Sequence, residues 1–272
     1  MPTYVRRLAR AMGVPAALST VRGFAHVGGW PDVLIIGASK CGTTSLFHYL
    51  QQHPSVARAR TKEVHYFDLH FHRGRHWYRG QFPHRPNELK LEATPYYLFH
   101  PAVPKRAADL IPEAKLIVIM REPVTRAYSQ YQHECADGYE QLTFQEAVAM
   151  EAQRLGNTHE MLAQGLIQRS HAHQHFSYIR RGLYAEQIER WQKHYPVESF
   201  LFLRAEDLFD APQDTFDRAC CFLGLSNFAL NDDSGRNLRS YDGMPSEIRA
   251  ELTALYDQPN RRLATLTGIS WS

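Results

Sequence analysis

The sequence is poor in cysteine, in long apolar runs and in net charge, and each shortage argues against a class of protein. Its four cysteines lack CxxC spacing, and the adjacent Cys220 and Cys221 cannot easily bridge to each other, which favours a reducing, cytoplasmic location. No apolar run approaches the ~20 residues that span a bilayer, so we expect a soluble protein. The formal net charge of +3 argues against a nucleic-acid partner but allows a local basic site for an anionic ligand.

The N-terminal segment lacks acidic side chains and also lacks the compact apolar stretch of a secretory signal. Its arginines accompany Val5, Leu8 and Met12, which recur at roughly helical spacing. We interpret residues 1–31 as a basic arm packed on the domain; contact with a membrane surface and a transit peptide are the alternatives. Residues 32–272 contain no internal repeat and are long enough for one large α/β domain.

Three short apolar runs have the composition of strands buried on both faces of a parallel sheet: Val33–Ile36, Lys115–Met120 and Ser199–Leu203. Helical periodicity alternates with them near residues 43–53, 101–110, 123–136, 143–154, 183–195, 212–223 and 245–267. The alternation predicts an α/β, three-layer fold in which helices flank a central, mostly parallel sheet. Residues from about 154 to 180 have weak periodicity and many polar side chains, which indicates an insertion or lid.

A glycine-containing loop joins the first strand to the first helix and has the composition of an anion site. Gly37 allows the backbone to approach a ligand closely, and N–H groups at the start of the helix attract negative charge. Lys40 adds a full positive charge, while hydroxyl side chains add donors, and Thr43 or Thr44 is expected to cap the helix. The predicted phosphate-binding residues are Ser39, Lys40, Cys41, Gly42, Thr43, Thr44 and Ser45.

This loop differs from that of ATP- and GTP-binding P-loop proteins, in which lysine directly follows the second glycine of GxxxxGK[ST]. Here Lys40 precedes Gly42 by two positions. The strand Lys115–Met120 is followed by Arg121 and not by an aspartate that holds magnesium. A kinase or nucleoside triphosphatase is therefore a distant alternative.

The loop Gly37–Ser45 resembles the 5′-phosphosulfate loop of sulfotransferases that use 3′-phosphoadenosine 5′-phosphosulfate (PAPS), particularly the carbohydrate type that includes the heparan sulfate enzymes. Further matching segments occur in the family's order: Lys62–Asp68, Trp77–Tyr78, Phe82–Pro83, Glu92–Tyr97, Leu183–Tyr184 and Glu206–Leu208. The resemblance covers most of residues 32–272. It implies a P-loop-like fold, PAPS as the sulfuryl donor, adenosine 3′,5′-bisphosphate (PAP) as the product, and no requirement for a metal.

A nucleotide with a separate 3′-phosphate needs a second anion site, and Arg121 at a strand end and Ser129 on the next helix suit this purpose. Arginine grips phosphate through a fork of donors. The resemblance assigns the 3′-phosphate to this pair, because the family's motif has the same residues at the same separation. The family also has a late basic loop over the phosphosulfate, and Gly235–Tyr241 is its best local equivalent, which gives Arg239 as a candidate. Tyr184 follows Gly182 at a helix start, and it is expected either near the adenine or in the core.

The resemblance implicates Glu63 as the general base, because it occupies the position of the glutamate in the Glu-Val-His-Phe-Phe motif of heparan sulfate O-sulfotransferases. An ion pair with Lys62 or with an arginine is the alternative interpretation. If residues 63–67 are extended, His65 shares a face with Glu63 and orients it or contacts the acceptor. Lys40 is assigned to the oxygen that bridges phosphate and sulfate, where negative charge grows as the bond breaks.

His133 is a further catalytic candidate, since it follows Ser129 by four residues and projects from the same face of a helix. Some N-sulfotransferases of the family carry histidine in a Tyr-Gln-His context, as at Tyr131–His133. A partly exposed histidine without a catalytic role is the other interpretation.

Two further sets of reactive side chains, one cysteine and three histidines, are not assigned a role in the reaction. Cys41 lies near a helix N-terminus, which favours its thiolate, so we expect modest sensitivity to thiol reagents that bound nucleotide relieves. His171, His173 and His175 alternate, but no cysteine or carboxylate cluster accompanies them, so a polar lid segment is favoured over a zinc site.

The acceptor is less well defined than the donor. Heparan sulfate enzymes tend to have lysine after the glutamate of Glu-Lys-Ser/Thr-Pro, whereas this chain has Ala93, which argues against a heparan-like polyanion. We expect a hydroxyl on a carbohydrate or glycolipid. The alternatives are a small-molecule alcohol or phenol, the amine of an amino sugar with His133 assisting, and a non-catalytic nucleotide-binding protein.

Overall fold

The computed structural model describes residues 28–235 and 243–271, and its centre is a five-stranded sheet. The strands are β1 (Val33–Gly37), β2 (Val56–Arg58), β3 (Leu89–Ala93), β4 (Lys115–Met120) and β5 (Phe200–Arg204). They lie in the order β2-β3-β1-β4-β5, and every neighbouring pair is parallel. The predicted central, mostly parallel sheet is confirmed.

Helices connect and flank the strands. In the described ranges they are α1 (Thr43–Leu50), α2 (Gly74–Arg79), α3 (Val103–Leu110), α4 (Pro123–Ala136), α5 (Phe144–Ala149), α6 (Glu151–Leu155), α7 (Thr158–Ala163), α8 (His171–His175), α9 (Tyr184–Gln192), α10 (Ala205–Asp210), α11 (Pro212–Leu223) and α12 (Ser246–Thr267). The predicted bounds of α4 and α11 are confirmed to the residue. The helix predicted near 143–154 is two helices, α5 and α6, which meet at Met150.

Two strands, β2 and β3, escaped sequence interpretation. β2 has three residues at the edge of the sheet, too few to form a pattern. β3 includes Lys90 and Glu92, which break the apolar run that marks a buried strand. Glu92 is completely buried and its carboxylate accepts hydrogen bonds from hydroxyl groups, so tertiary partners permit a charge-bearing residue inside the sheet.

Two clusters of buried apolar side chains hold the elements together. The larger one surrounds the sheet, where all five residues of β1 are buried. The smaller one includes Val124, Phe144, Tyr178, Leu252 and Tyr256, and it fixes one side of α4 against α5 and α12. The start of α4 is fixed as well, because the Glu122 carboxylate accepts hydrogen bonds from the first free N–H groups of the helix. The opposite side of α4 is therefore held in position to face a ligand.

The segment from about 154 to 180, predicted as an insertion or lid, contains the short helices α7 and α8. His173 and Tyr178 within it are buried, so part of the segment belongs to the body of the domain. Residues 1–27 and Arg239 lie outside the described residues. Within the described ranges, no helix is both long enough and apolar enough to cross a bilayer.

Candidate active site

The carboxyl ends of β3, β1 and β4 are adjacent in the sheet, and the segments that follow them line a cavity of about 540 Å³. Ligands of open parallel sheets bind at this edge. The predicted site residues that line it are Ser39, Lys40, Gly42, Thr43, Thr44, Glu63, Arg121, Ser129 and His133. Residues from distant parts of the sequence thus share one cavity, while their roles toward a ligand remain predictions.

The phosphate loop reaches the cavity through the start of α1. Gly42 is the N-cap residue, with φ of 88° and without a hydrogen bond from a capping side chain. The prediction that Thr43 or Thr44 caps the helix was wrong, because both threonines lie inside the first turn. The first N–H groups of α1 have no acceptor within the helix and are suited to bind an anion.

Gly42 is required by both conformation and space. Its positive φ is unfavourable for any residue with a Cβ atom. A Cβ atom there would also lie 3.0 Å from the Phe209 ring and 3.1 Å from Leu208. The loop can therefore hold its shape against α10 only with glycine at this position.

Cys41 does not behave as predicted. Its side chain is completely buried, with Sγ 3.7 Å from the Tyr184 hydroxyl, and it does not line the cavity. Burial raises the pKa of the Cys41 thiol, and this effect exceeds that of the nearby arginines, which lower it. The raised pKa argues against the predicted thiolate, because desolvation outweighs the effect of Arg126 and Arg121, while the sensitivity to thiol reagents stays a prediction.

Tyr184 and Ser45 are buried below the loop and also do not line the cavity. The Tyr184 hydroxyl donates a hydrogen bond to the Arg121 carbonyl oxygen at 3.0 Å. Tyr184 therefore links Cys41 of the phosphate loop to Arg121, and of its two predicted locations it occupies the core.

Arg121 and Ser129 both line the cavity from one continuous piece of backbone. Arg121 directly follows β4, and Ser129 lies on the cavity side of α4, largely buried. Glu122 between them caps α4 through Val124 N and Thr125 N, at 2.8 and 2.7 Å. The cap anchors the start of the helix that carries Ser129 directly after Arg121, and an arginine fork beside a hydroxyl group suits the predicted 3′-phosphate site.

Glu63 also lines the cavity, between two cationic partners. Its carboxylate is 2.5 Å from Lys62 Nζ and 3.4 Å from His65 Nε2. The other nitrogen of His65 is 2.7 Å from the Asp68 carboxylate. Both sequence interpretations of Glu63 therefore describe the same group: it forms the ion pair with Lys62, and it faces the cavity.

These partners set the charge of the Glu63 cluster. Burial alone would raise the pKa of Glu63, but the hydrogen bond from His65 and the charge of Lys62 lower it to about 2. Burial would likewise lower the pKa of His65, but Asp68 and Glu63 raise it to about 10. At neutral pH the cluster therefore holds an ionised Glu63 beside an imidazolium.

The backbone around Glu63 is not extended. Glu63 and His65 have φ of 60° and 53°, so the extended conformation on which the shared face depended is not present, although the two side chains do meet. The segment is held by hydrogen bonds to the end of β3: Glu63 N donates to Ala93 O at 3.0 Å, and Tyr66 N donates to the Tyr97 hydroxyl at 2.8 Å.

A buried carboxylate supports this anchor. The Tyr97 hydroxyl donates to Glu92 at 2.7 Å, and Thr94 donates to the same carboxylate at 2.8 Å. Burial raises the pKa of Glu92 to about 7, although these hydrogen bonds oppose the change. Glu92 thus connects the interior of β3 to the backbone that carries Glu63.

Sequence reasoning missed Arg181, which lines the cavity and is buried apart from 7% of its surface. Its guanidinium donates hydrogen bonds to Ser39 Oγ at 3.2 Å and to the Gln174 carbonyl oxygen at 2.5 Å. Its carbon Cζ lies 4.9 Å from the centre of the Tyr96 ring, while Nε has no hydrogen-bond partner among the described residues. A buried cation that forms no ion pair with a carboxylate in the described part of the chain is suited to an anionic ligand.

Burial lowers the pKa of Arg181 to about 10, which still leaves the side chain charged at neutral pH. The sequence feature that could have indicated Arg181 as a site residue is Arg180-Arg181-Gly182, directly before Leu183 and Tyr184. It lay at the end of a segment without clear periodicity, where no pattern fixes which of two adjacent arginines points inward.

His133 lines the cavity one helical turn beyond Ser129, as predicted. Its Nε2 is 3.5 Å from the Asp137 carboxylate, and 37% of its side chain is exposed. The residues predicted to form a polar lid segment, in preference to a zinc site, include His173, which is buried and hydrogen-bonded to Tyr96 and His159. Within residues 28–235 and 243–271, no group of histidine, cysteine or acidic side chains is arranged to hold a metal ion.

The family model for the sulfotransferase domain matches residues 30–243 of this chain. The chain belongs to the sulfotransferase family. The match covers the whole cavity, including the phosphate loop, Glu63 and the Arg121–Ser129 pair.

Named relatives agree with this membership. The chain is 30% identical over 296 residues to heparan sulfate glucosamine 3-O-sulfotransferase 6 of Mus musculus, covering 98% of the chain and 79% of the relative. It is 35% identical over 268 residues to heparan sulfate glucosamine 3-O-sulfotransferase 3A1 of Mus musculus, covering 88% of the chain and 63% of the relative. A crystal structure of a sulfotransferase from Alicyclobacillus acidocaldarius matches with a TM-score of 0.76 at 30% identity, over 89% of this chain and 98% of that one.

Proposed function

We propose that this sulfotransferase moves the sulfuryl group of PAPS to a hydroxyl of a carbohydrate and releases PAP. One observation carries the proposal: the phosphate loop, the Arg121–Ser129 pair and the carboxylate of Glu63 line the same cavity, so that two groups of residues suited to anions lie near one carboxylate. Two separate anion sites suit a nucleotide phosphorylated at both the 5′ and the 3′ position. The carboxylate suits the removal of a proton from the attacking hydroxyl.

The donor is bound by charge and by backbone donors. The start of α1 receives the 5′-phosphosulfate, while Arg121 and Ser129 receive the 3′-phosphate. Arg181 donates a hydrogen bond to Ser39 and places a further positive charge near the phosphosulfate. Lys40 lies on the same lining and serves the bridging oxygen.

The transfer is an in-line displacement at sulfur. The acceptor oxygen bonds to sulfur while the bond between sulfur and the bridging oxygen of the donor breaks, and PAP leaves with that electron pair. The hydroxyl proton passes to Glu63. Lys40 stabilises the charge that grows on the bridging oxygen, and it does so most strongly in the transition state.

A carboxylate with a pKa of about 2 is a weak base, and this determines when it acts. Glu63 stays ionised at neutral pH and orients the hydroxyl by accepting its hydrogen bond. The proton transfers late, because the acceptor hydroxyl becomes acidic only as its bond to sulfur forms. His65 and Asp68 hold the Glu63 carboxylate in one orientation.

A carbohydrate hydroxyl is favoured as acceptor because the relatives at 30% and 35% identity are heparan sulfate glucosamine 3-O-sulfotransferases. A second candidate is the amine of an amino sugar, and the position of His133 on the cavity lining favours it. Treatment of the labelled product with nitrous acid separates the two, since it cleaves glycans at N-sulfoglucosamine and leaves O-sulfates attached.

Two measurements test the proposal. Titration with PAP is expected to give micromolar or tighter binding that does not depend on magnesium. Radiolabelled PAPS with a panel of oligosaccharides, small alcohols and phenols is expected to label an oligosaccharide. Magnesium-dependent binding of ATP in place of PAP, or label on a small alcohol alone, would contradict the proposal.

We also propose a reducing, cytoplasmic location, because the described cysteines are free thiols and Cys221 is exposed. Four free thiols per denatured chain are expected from protein isolated from its own cell, and fewer would contradict this. The membrane-surface alternative for residues 1–31 is tested by liposome sedimentation with and without that segment.

A further inference from the structure

The cavity extends along α4 well beyond the donor site. His133 and Asp137 follow Ser129 at successive steps of four residues and both line the cavity. At 1.5 Å per residue they lie about 6 and 12 Å further along the helix axis, away from Arg121 at its start. This part of the cavity therefore lies beyond the residues proposed to bind the 3′-phosphate, and it is available to the acceptor.

The same region carries negative charge. Glu134 is largely buried on the lining, and its carboxylate is 2.9 Å from His175 Nδ1. The Asp137 side chain is 43% exposed, with its carboxylate 3.5 Å from His133 Nε2. Carboxylates so placed would repel the nucleotide, so they belong with the acceptor.

The cations of the cavity have other partners. Lys40 and Arg121 belong to the two donor sites, and the Arg181 guanidinium donates hydrogen bonds to Ser39 Oγ of the phosphate loop and to the Gln174 carbonyl oxygen. Lys62 is paired with Glu63. Within the described residues, the region beyond Ser129 thus offers carboxylates, amides and imidazoles to an acceptor but no lysine or arginine.

An aromatic ring completes this region. Tyr139 lines the cavity with 47% of its surface exposed. The centre of the Tyr139 ring lies 4.2 Å from that of His175 and 5.4 Å from that of His171. Packing against these two imidazole rings fixes the position of the Tyr139 ring. An exposed ring beside hydrogen-bonding groups suits the apolar face of a sugar.

We propose that this region, the acceptor wall, selects saccharides that lack sulfate and carboxylate groups near the reacting hydroxyl, and that Asp137 is the specificity-determining residue that rejects anionic acceptors. The acceptor wall consists of Gln130, His133, Glu134, Asp137, Tyr139 and His175. Asp137 is the more effective of the two carboxylates because 43% of its side chain is exposed, against 8% of the Glu134 side chain. Rejection by like charge is a common source of specificity. The inference rests on the proposed sulfuryl transfer.

The test compares two tetrasaccharides with one backbone: chitotetraose with N-acetyl groups, which is neutral, and the same tetramer with N-sulfo groups, which is anionic. Transfer from radiolabelled PAPS gives kcat/KM for each. The wild-type protein is expected to favour the neutral tetramer. Asp137→Asn is expected to lower that preference about tenfold, chiefly by raising kcat/KM for the anionic tetramer, with PAP affinity unchanged.

Asp109→Asn is the matched control, because it removes an exposed carboxylate of α3 that pairs with Lys105 away from the cavity. It should leave the preference unchanged. A wild-type preference for the anionic tetramer, or the same ratio in Asp137→Asn as in wild type, overturns the inference. Binding of PAP with transfer to neither tetramer also overturns it, whereas failure to bind PAP overturns the proposed function itself.

Discussion

The donor half of the cavity, which comprises the phosphate loop, Arg121, Ser129 and Arg181, and the acceptor wall are formed by different kinds of chemical groups. The donor half uses backbone N–H groups at the start of α1 and side chains at junctions between strand and helix, such as Lys40 and Arg121, and its charge is positive. The acceptor wall uses side chains from α4, from α8 and from the turn at Tyr139, and it carries Glu134 and Asp137. Local geometry therefore fixes what the donor half binds, whereas the acceptor wall also depends on how α8 and the turn at Tyr139 pack beside α4.

The substitution with the largest expected effect is Glu63→Gln, which removes the carboxylate proposed to take the proton of the acceptor hydroxyl. The amide cannot accept the proton, so kcat is expected to fall by about 10²- to 10⁴-fold. PAP affinity should stay near the wild-type value, because Glu63 makes no contact that a phosphate needs. Steady-state kinetics and calorimetry measure the two effects.

The control for this variant is Glu88→Gln, which removes a carboxylate paired with Arg85 outside the cavity and should leave kcat unchanged. Wild-type turnover in Glu63→Gln would exclude the base assignment. A parallel loss of PAP affinity would instead show that Glu63 belongs to the donor half.

The donor half was largely predictable from the sequence, and the reason is local. A buried strand, a glycine loop and a helix start fall within Val33–Leu50, and Arg121 and Ser129 lie on consecutive elements. Spacing alone brings such groups to one edge of a parallel sheet. The buried strand β3 and the buried Arg181 escaped prediction, because hydrogen-bond partners elsewhere in the fold permit Glu92 and Arg181 to be inside.

Within the donor half, Cys41 shows in the same way that local sequence does not determine burial. Its position near a helix start favours a thiolate, but the depth of its burial depends on Tyr184 and on the packing around it. The acceptor wall was least predictable for this reason. Of its members only His133 had been predicted as a site residue, and Tyr139 and His175 reach the cavity through packing of the 137–175 segment.

Arg181→Met tests whether the donor half includes the arginine that sequence reasoning missed. Loss of a charged hydrogen-bonding group that faces the phosphosulfate should weaken PAP binding by about 10- to 100-fold. Calorimetry measures this, and Arg181→Lys should restore part of the affinity. Arg180→Met is the matched control, because Arg180 is the exposed neighbour and does not line the cavity. Equal losses in the two methionine variants would argue against a specific role for Arg181.

Tyr97→Phe tests the support of Glu63 by β3. The variant leaves the Tyr66 N–H group without its acceptor and removes one donor from buried Glu92, so unfolding free energy should fall by about 1–3 kcal/mol. We expect kcat to fall several-fold while PAP affinity is retained. Tyr195→Phe is the control, since it loses a buried hydrogen bond to Ile111 far from the cavity and should cost stability without lowering kcat. Equal kcat in both variants would separate Glu92 from catalysis.

The smallest expected effect at neutral pH concerns His65, which holds Glu63 on the boundary between the two halves. His65→Asn removes the hydrogen bond that lowers the pKa of Glu63, so burial raises that pKa from about 2. Since the base acts only when ionised, the acid limb of kcat/KM should move upward in pH, with little loss at pH 8. His72→Asn, an exposed neighbour, should leave the profile unchanged.

Stability gives a second measurement for the same variant. The pKa of His65 is raised from 6.5 to about 10, so its contribution to folding is fully present below pH 6.5 and is lost as the pH rises through 10. His65→Asn should therefore lower the unfolding free energy more at pH 6 than at pH 10, as urea titrations at both values would measure. The contrary result is a shifted acid limb with an equal loss of stability at both pH values. It would mean that His65 orients Glu63 as a neutral ring, and that a positive charge on His65 between Asp68 and Glu63 does not stabilise the fold.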